Sequence, residues 1–159
     1  MRSTVEFTAS AAMAPTWGVV GSVYAILAGG EQTGGQYTLV EAFVPPDGGP
    51  PLHTHTREDE AFYLLEGEMT VTIAGRPLVL TPGGFAFGPR NVEHTFRNTG
   101  RGVARMLVWI TPAGLEHFFR AVGAPLRPGT REAAAPTADQ VEKLLATAPR
   151  YGLVIRPPG

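Results

Sequence analysis

Short apolar segments separated by turn residues fill the middle of this chain, and this pattern limits the fold more than any other feature. Between Tyr37 and Ile110, Gly, Pro, Asn and Asp stand between one apolar segment and the next. Gly and Pro together make up 35 of the 159 residues (20 plus 15). Short strands at even spacing, joined by tight turns, are typical of β-sandwiches and barrels. We therefore predict an all-β fold, built as a small barrel.

Eight apolar segments are predicted as strands, in addition to the segment that carries His53 and His55. The segment Met69–Ile73 is the clearest, because Met69, Val71 and Ile73 alternate with two threonines and so share one face. The eight segments are Ser22–Leu27, Tyr37–Val44, Ala61–Leu65, Met69–Ile73, Leu78–Leu80, Phe85–Phe87, His94–Phe96 and Val103–Ile110. Trp17 is expected to help seal the barrel, and the tail 151–159 is expected to add a last short strand.

Two helices are predicted after the strands. The first has one apolar face, formed by Leu115, Phe118, Phe119 and Val122 at the spacing i, i+3, i+4, i+7. The second begins at Thr137, where the sequence TADQ forms a capping box, and ends near residue 146. We expect one domain over residues 1–159, with a barrel core at about 20–112 and a helical segment at about 113–148 followed by the tail.

Composition excludes several classes of function. The net charge of −1 gives no reason to expect a nucleic-acid partner. The absence of cysteine excludes disulfides, thiolate nucleophiles and thiolate metal sites. No apolar stretch approaches the roughly 20 residues of a membrane-spanning helix, and the N-terminus is a poor signal peptide. The expected location is the cytoplasm, with no membrane partner.

The sequence HTHTREDE, residues 53–60, carries a candidate metal site. His53 and His55 are two residues apart on a predicted strand, so their side chains leave the same face. If residues 56–59 form a hairpin loop, His55 lies directly opposite Glu60, on the histidine face. Glu58 and Asp59 are then turn residues that point to water, with Arg57 offsetting their charges.

The other two histidines of the chain are His94 and His117. An isolated HxH pair is more often a surface or core pair than a metal site, so a further ligand is needed. His94 begins a short strand elsewhere in the barrel and is the candidate. His117 lies on the first predicted helix, where a surface position is the common case and contact with a ligand near the barrel mouth is the alternative.

Two segments resemble the conserved motifs of the cupin superfamily. The first, Gly48–Gly67, has the spacing G-x4-HTH-x4-E-x6-G, with Gly49 as an alternative start. The second, Gly83–Asn98, has Asn91 where the family mostly has glycine, and Asn tolerates the left-handed turn conformation. The resemblance covers roughly residues 37–110. It implies a jelly-roll barrel whose metal ligands are His53, His55, Glu60 and His94.

Such a ligand set implies one divalent transition metal, of which Fe, Ni, Co, Mn and Zn are all candidates. The flanks of the motifs are similar to those of bacterial single-domain cupins related to quercetin 2,3-dioxygenase. In that group the flavonol binds the metal through its deprotonated 3-hydroxyl, and dioxygen cleaves the heterocycle with release of carbon monoxide. The resemblance implies that Glu60 is both a metal ligand and the catalytic base.

The fold alone does not select the reaction. A metal-dependent dioxygenase of quercetinase type, acting on a flavonol or another aromatic or enolisable molecule, is the first hypothesis. A metal-dependent isomerase or C–C bond hydrolase of a small carbonyl compound is the second, and a non-catalytic binding protein is the third. The inward apolar residues are expected to be core residues first: Phe62, Leu64, Met69, Val71, Phe85, Phe87, Phe96, Met106 and Val108. Some inward residues must also form the wall of an apolar substrate pocket; the candidates are Phe62, Met69, Phe87, Phe96, Met106, Phe118 and Phe119.

A homodimer is the expected assembly. The predicted strand Ala61–Leu65 is apolar on both faces, with Phe62 and Leu64 on one face and Ala61, Tyr63 and Leu65 on the other. One face belongs to the barrel core, so the second is expected to be buried against another copy of the chain.

Overall fold

Two antiparallel sheets form the molecule, and the fold is that of an all-β jelly-roll barrel with short helices packed on it. The computed structural model describes residues 6–156. The seven-stranded sheet has the order β11-β1-β2-β3-β10-β5-β8, and the five-stranded sheet has the order β12-β4-β9-β6-β7. The predicted fold class is therefore confirmed.

The elements have the following bounds. The strands of the first half are β1 (Thr16–Val19), β2 (Ser22–Ala28), β3 (Thr38–Val44), β4 (His53–His55), β5 (Asp59–Glu66), β6 (Met69–Ile73) and β7 (Arg76–Leu80). Those of the second half are β8 (Phe85–Gly88), β9 (His94–Asn98), β10 (Ala104–Thr111), β11 (Ala124–Leu126) and β12 (Leu153–Ile155). The helices are α1 (Gly30–Thr33), α2 (Glu116–Val122) and α3 (Ala138–Thr147), and a 3-10 turn covers Ala148–Tyr151.

Every predicted strand is present within a few residues of its predicted bounds. The capping box of α3 is also formed, since the Thr137 hydroxyl accepts from the backbone N–H of Gln140 and the Gln140 side chain accepts from that of Thr137. Elements that were not predicted include β1, α1 and β11, which returns from α2 to pair with β1. The predicted tail strand is β12; residues 157–159 lie outside the described part of the chain.

Strand alternation builds the core between the two sheets. Strand β10 shows it most clearly, because Ala104, Met106, Val108 and Ile110 are buried and the residues between them are partly exposed. Phe62 and Leu64 on β5, and Met69 and Val71 on β6, are fully buried inward positions. Each such side chain contributes on the order of 1.5–3 kcal/mol by leaving water.

Helix α2 lies against this core with its predicted apolar face. Phe118 and Phe119 are buried, and the Phe119 ring stacks on Tyr24 at a centroid distance of 4.8 Å. No helix among residues 6–156 has the length and apolar character needed to cross a membrane.

Strand β8 faces the opposite way from the prediction. Phe85 and Phe87, expected in the core, are 61% and 49% exposed, whereas Ala86 is buried. The reason lies at Gly88, where an added Cβ would be only 3.2 Å from Nδ1 of His94. Because the His94 ring occupies this space, the small residues of β8 face inward and the two-residue period turns the phenylalanines outward.

The two glycines Gly49 and Gly75 allow a test of how tightly the barrel closes. Gly49 has φ +147° and an added Cβ would lie 1.9 Å from the carbonyl oxygen of Phe96, whereas Gly75 has φ +77° with open space around it. We expect Gly75→Ala to cost about 1–2 kcal/mol for its left-handed backbone. Gly49→Ala should cost several kcal/mol or prevent folding, because the backbone of β9 must move. Urea unfolding measures both, and equal costs would contradict the close approach of residue 49 to β9.

Candidate metal centre

Four buried side chains from three strands meet inside the barrel. His53 and His55 project from the same face of β4, and His94 comes from β9, whose residue 94 is paired with residue 53. Glu60 comes from β5 in the opposite sheet. One potential ligand atom from each of the four residues lies within 4.8 Å of the others. The structure thus brings together all four residues implied by the motifs.

The route by which Glu60 reaches the histidines differs from the prediction. The predicted hairpin pair of His55 with Glu60 is wrong, because β4 pairs with β9 and β12 whereas β5 pairs with β10 and β8. Residues 56–58 instead carry the chain from one sheet to the other. Glu60 Oε2 lies 3.1 Å from His55 Nε2 across the barrel interior. Glu60, the carboxylate that the prediction selected, does lie at the site, but it belongs to a strand of the facing sheet.

The ring orientations of His53 and His94 are fixed by backbone acceptors. His53 Nδ1 is 2.8 Å from the carbonyl oxygen of Pro51, and His94 Nδ1 is 3.2 Å from that of Val92. A carbonyl only accepts, so both Nδ1 atoms carry the hydrogen and donate it. The Nε2 atoms of both rings are therefore directed into the cluster.

The atoms at the centre are close enough to require a shared proton or a metal ion between them. His53 Nε2 is 3.2 Å from His55 Nε2, and Glu60 Oε2 is 2.7 Å from His94 Nε2. Lone pairs at such distances in a buried site repel one another unless a proton or a metal ion lies between them.

Burial and charge perturb the titration of this cluster. Burial by itself lowers the pKa of His55, but the charge of Glu60 and the contacts with Glu58 and Glu60 outweigh it and raise that pKa to about 9. Burial and the neighbouring charge of His55 lower the pKa of His53 to about 4. For Glu60 burial acts to raise the pKa, yet the charge of His55 and the hydrogen bonds from His55 and His94 hold it well below its usual range.

The donor set suits a borderline divalent metal. Three imidazole nitrogens and one carboxylate oxygen are compatible with Fe, Co, Ni, Mn and Zn alike. Four protein ligands leave one or two positions open on a five- or six-coordinate ion, as in catalytic rather than structural sites. The residues present therefore fit the metal that the motifs imply.

The two acids that precede Glu60 in the sequence, Glu58 and Asp59, differ in burial and in the residues that they contact. Glu58, predicted to point to water, is only 5% exposed, and its Oε2 lies 3.4 Å from Nδ1 of His55. Asp59 is partly exposed and forms an ion pair with Arg90, whose Nη2 is 3.2 Å from Oδ2. Arg57, expected to balance these acids, is exposed. The spacing of three residues between His55 and Glu58 was the sequence signal that the hairpin hypothesis overlooked.

A pocket opens beside the cluster, with an empty volume of about 650 Å³ that includes its mouth. His53, His55 and Glu60 form its polar side. Apolar and aromatic residues from the barrel and from the C-terminal segment form the rest. They are Val19, Val20, Tyr24, Val40, Pro50, Pro51, Phe96, Val108, Leu115, Phe118, Phe119, Leu144, Leu153 and Ile155.

Three of the seven predicted pocket residues line this pocket: Phe96, Phe118 and Phe119. Phe62, Met69 and Met106 are fully buried in the core and do not line it. Phe87 lies on the outer surface, because β8 has the opposite facing. His117 also lies outside the pocket, with a side chain that is 60% exposed. Sequence patterns missed the contribution of β12 and α3, since they gave no information on where the tail docks.

The chain matches known proteins over its barrel. Residues 40–111 match the family described as Cupin domain. Quercetin 2,3-dioxygenase of Bacillus subtilis (strain 168) is 33% identical over 103 residues, which cover 65% of this chain and 30% of that protein. The chain therefore spans less than a third of that relative's length.

Solved structures share the fold at lower identity. A predicted oxalate decarboxylase from Thermotoga maritima has a TM-score of 0.62 and 23% identity, covering 67% of this chain and 99% of its own. KdgF from Halomonas sp. has a TM-score of 0.62 and 19% identity, covering 72% of this chain and 99% of its own. At these identities the similarity concerns the fold alone.

The raised pKa of His55 predicts that metal binding releases a proton. A group with a folded pKa of about 9 and an ordinary value of 6.5 keeps its proton at pH 7.5 in the metal-free protein. Co²⁺ must displace that proton to reach Nε2, so close to one proton is released at pH 7.5 and less as the pH rises through 9. Calorimetric titration in buffers of different ionisation enthalpy measures the number. Binding of Co²⁺ at pH 7.5 without proton release would contradict the charged state of His55.

Proposed function

The chain belongs to the cupin superfamily, and we propose that it is a metal-dependent dioxygenase acting on a flavonol or another aromatic or enolisable small molecule. One observation carries this proposal: the buried cluster of three histidines and Glu60 opens onto a pocket whose remaining walls are apolar and aromatic. Pockets of this kind bind small apolar molecules, with a few polar groups fixing their orientation.

The charges around the pocket favour a neutral or phenolic substrate. Among the described residues that line it, none is Lys or Arg, and Glu60 is the only acid. A phosphorylated sugar loses its hydration on entering, and its phosphate needs Lys or Arg side chains to replace that water. The name of the Bacillus subtilis relative, quercetin 2,3-dioxygenase, points to the same substrate class.

His53, His55, Glu60 and His94 would hold the divalent metal, which would act as a Lewis acid and lower the pKa of a hydroxyl group next to it. Glu60 is fully ionised at neutral pH, because its pKa lies well below the usual range. Its carboxylate is therefore in the form that can accept a proton, but so low a pKa makes it a weak base, so the transfer requires a hydroxyl that the bound metal would make acidic.

The aromatic side chains give the substrate a rigid place to lie. Tyr24 and Phe119 are stacked with an interplanar angle of 16°, and Phe118 lies 5.7 Å from the ring of Tyr151. An aromatic substrate that extends this stack is held in one orientation and excludes water from the polar end of the pocket. Dioxygen is the co-substrate of the proposed reaction. The predicted homodimer and cytoplasmic location stay predictions.

Substitution of the ligands tests the metal centre and the reaction together. We expect His53→Ala and Glu60→Gln to lower metal content and to reduce oxygen uptake with a flavonol at least 100-fold, whereas Asp59→Asn changes neither. Elemental analysis and an oxygen electrode measure the two quantities over a panel of flavonols. Full metal content and turnover in Glu60→Gln would sink the role of Glu60. Turnover of a carbonyl compound by the metal-loaded protein without oxygen uptake would favour the isomerase or hydrolase alternative.

Substitution of the pocket wall tests the substrate class. Phe119→Leu keeps an apolar side chain but removes the stacked ring, so we expect KM for an aromatic substrate to rise about 2- to 10-fold, the equivalent of one aromatic contact of ~0.5–1.5 kcal/mol. Metal content should not change. Phe87→Leu is the matched control, because Phe87 is exposed outside the barrel. Equal KM values for the two variants would show that the substrate does not bind against α2.

A further inference from the structure

A buried carboxylate lies behind one of the three histidines and takes no part in the cluster itself. Glu58 precedes Glu60 by two residues and is 5% exposed. Its Oε2 faces Nδ1 of His55 at 3.4 Å, on the side of the ring away from Glu60. Within the described chain, this oxygen and this nitrogen are both buried and neither has another hydrogen-bond partner. Each is the nearest group able to satisfy the other.

This arrangement sets His55 apart from the other two histidines. The Nδ1 atoms of His53 and His94 face neutral backbone carbonyls. Only His55 has an ionisable side chain behind it. A carboxylate that accepts the outer N–H of a ligand histidine fixes the ring tautomer and makes the inner nitrogen a stronger donor to a metal.

Charge balance supports the same role. A divalent cation at the cluster carries two positive charges, and Glu60 supplies only one negative charge. Glu58 is the second buried carboxylate in contact with a ligand residue. Together the two acids neutralise a divalent ion in a region where an unbalanced charge is costly.

We propose that Glu58 is a positioning residue of the metal centre. Its carboxylate accepts the hydrogen bond of His55 Nδ1–H and so holds the Nε2 lone pair towards the metal. Closing the present 3.4 Å to a normal hydrogen-bond distance needs a movement of about 0.5 Å. This inference rests on the metal site of the proposed function. Residues 55–60 then carry two metal ligands, His55 and Glu60. Glu58, which positions His55, lies between them in the sequence.

The test measures Co²⁺ affinity, by competition with a chelator, and the visible absorption spectrum of bound Co²⁺. The proteins compared are the wild type, Glu58→Gln, Glu58→Ala and the control Asp59→Asn. We expect affinity to fall about 10-fold in Glu58→Gln, which keeps an acceptor but loses the charge, and up to about 100-fold in Glu58→Ala. Both variants should shift the Co²⁺ spectrum, because His55 becomes a weaker ligand. Asp59→Asn should match the wild type.

Glu58→Gln decides the matter if Glu58→Ala fails to fold, because Gln has the same shape as Glu. Wild-type affinity and an unchanged spectrum in Glu58→Gln would overturn the role of Glu58. An equal loss in Asp59→Asn would also overturn it, because the effect would then be one of general charge. A wild-type protein that binds no Co²⁺ would overturn the metal site itself, and with it the proposed function. Failure of the positioning role alone leaves wild-type binding intact.

Discussion

The mutual repulsion of four lone-pair-bearing atoms inside the barrel is the constraint on which the rest of the site depends. The Nε2 atoms of His53, His55 and His94 and the Oε2 atom of Glu60 approach one another to between 2.7 and 3.2 Å at three of their contacts. A buried site screens such repulsion poorly, so a shared proton or a metal ion has to lie among them. Because β4 and β9 belong to one sheet and β5 to the other, a metal ion bound there would also connect the two sheets of the barrel.

Packing around the cluster keeps these atoms in place. The His94 ring is fully buried; it lies against Gly88, and the ring of Phe62 packs on it in a T-shaped arrangement at a centroid distance of 5.8 Å. Phe62 in turn packs edge-on against Phe96, which reaches the pocket wall. Aromatic core residues thus support the ligands from behind, while the open side of the cluster faces the apolar pocket. The barrel interior is thus divided between close-packed core side chains and the open pocket.

Sequence reasoning succeeded where a local pattern carries the information. Alternation predicted the strands, and the motif spacing named the four residues that the structure brings together. It failed where the outcome depends on contacts distant in sequence. The order HTHTREDE does not distinguish a hairpin from a crossing between sheets, and that distinction decides whether Glu58 is solvated or buried. The facing of β8 was missed for a similar reason, because hydrophobicity favours Phe85 and Phe87 inside until the volume of the His94 ring is known.

The pairing of β12 with β4 has a consequence for the order in which the chain folds. Residues 153–155 lie beside residues 53–55, so the neighbour that completes the ligand strand comes from about 100 residues further along the chain. Contacts between such distant segments form late in folding, because a long loop must close first. During synthesis, the two histidines of β4 emerge long before the strand that flanks them. We expect the ligand strand to gain protection from hydrogen exchange among the last parts of the barrel.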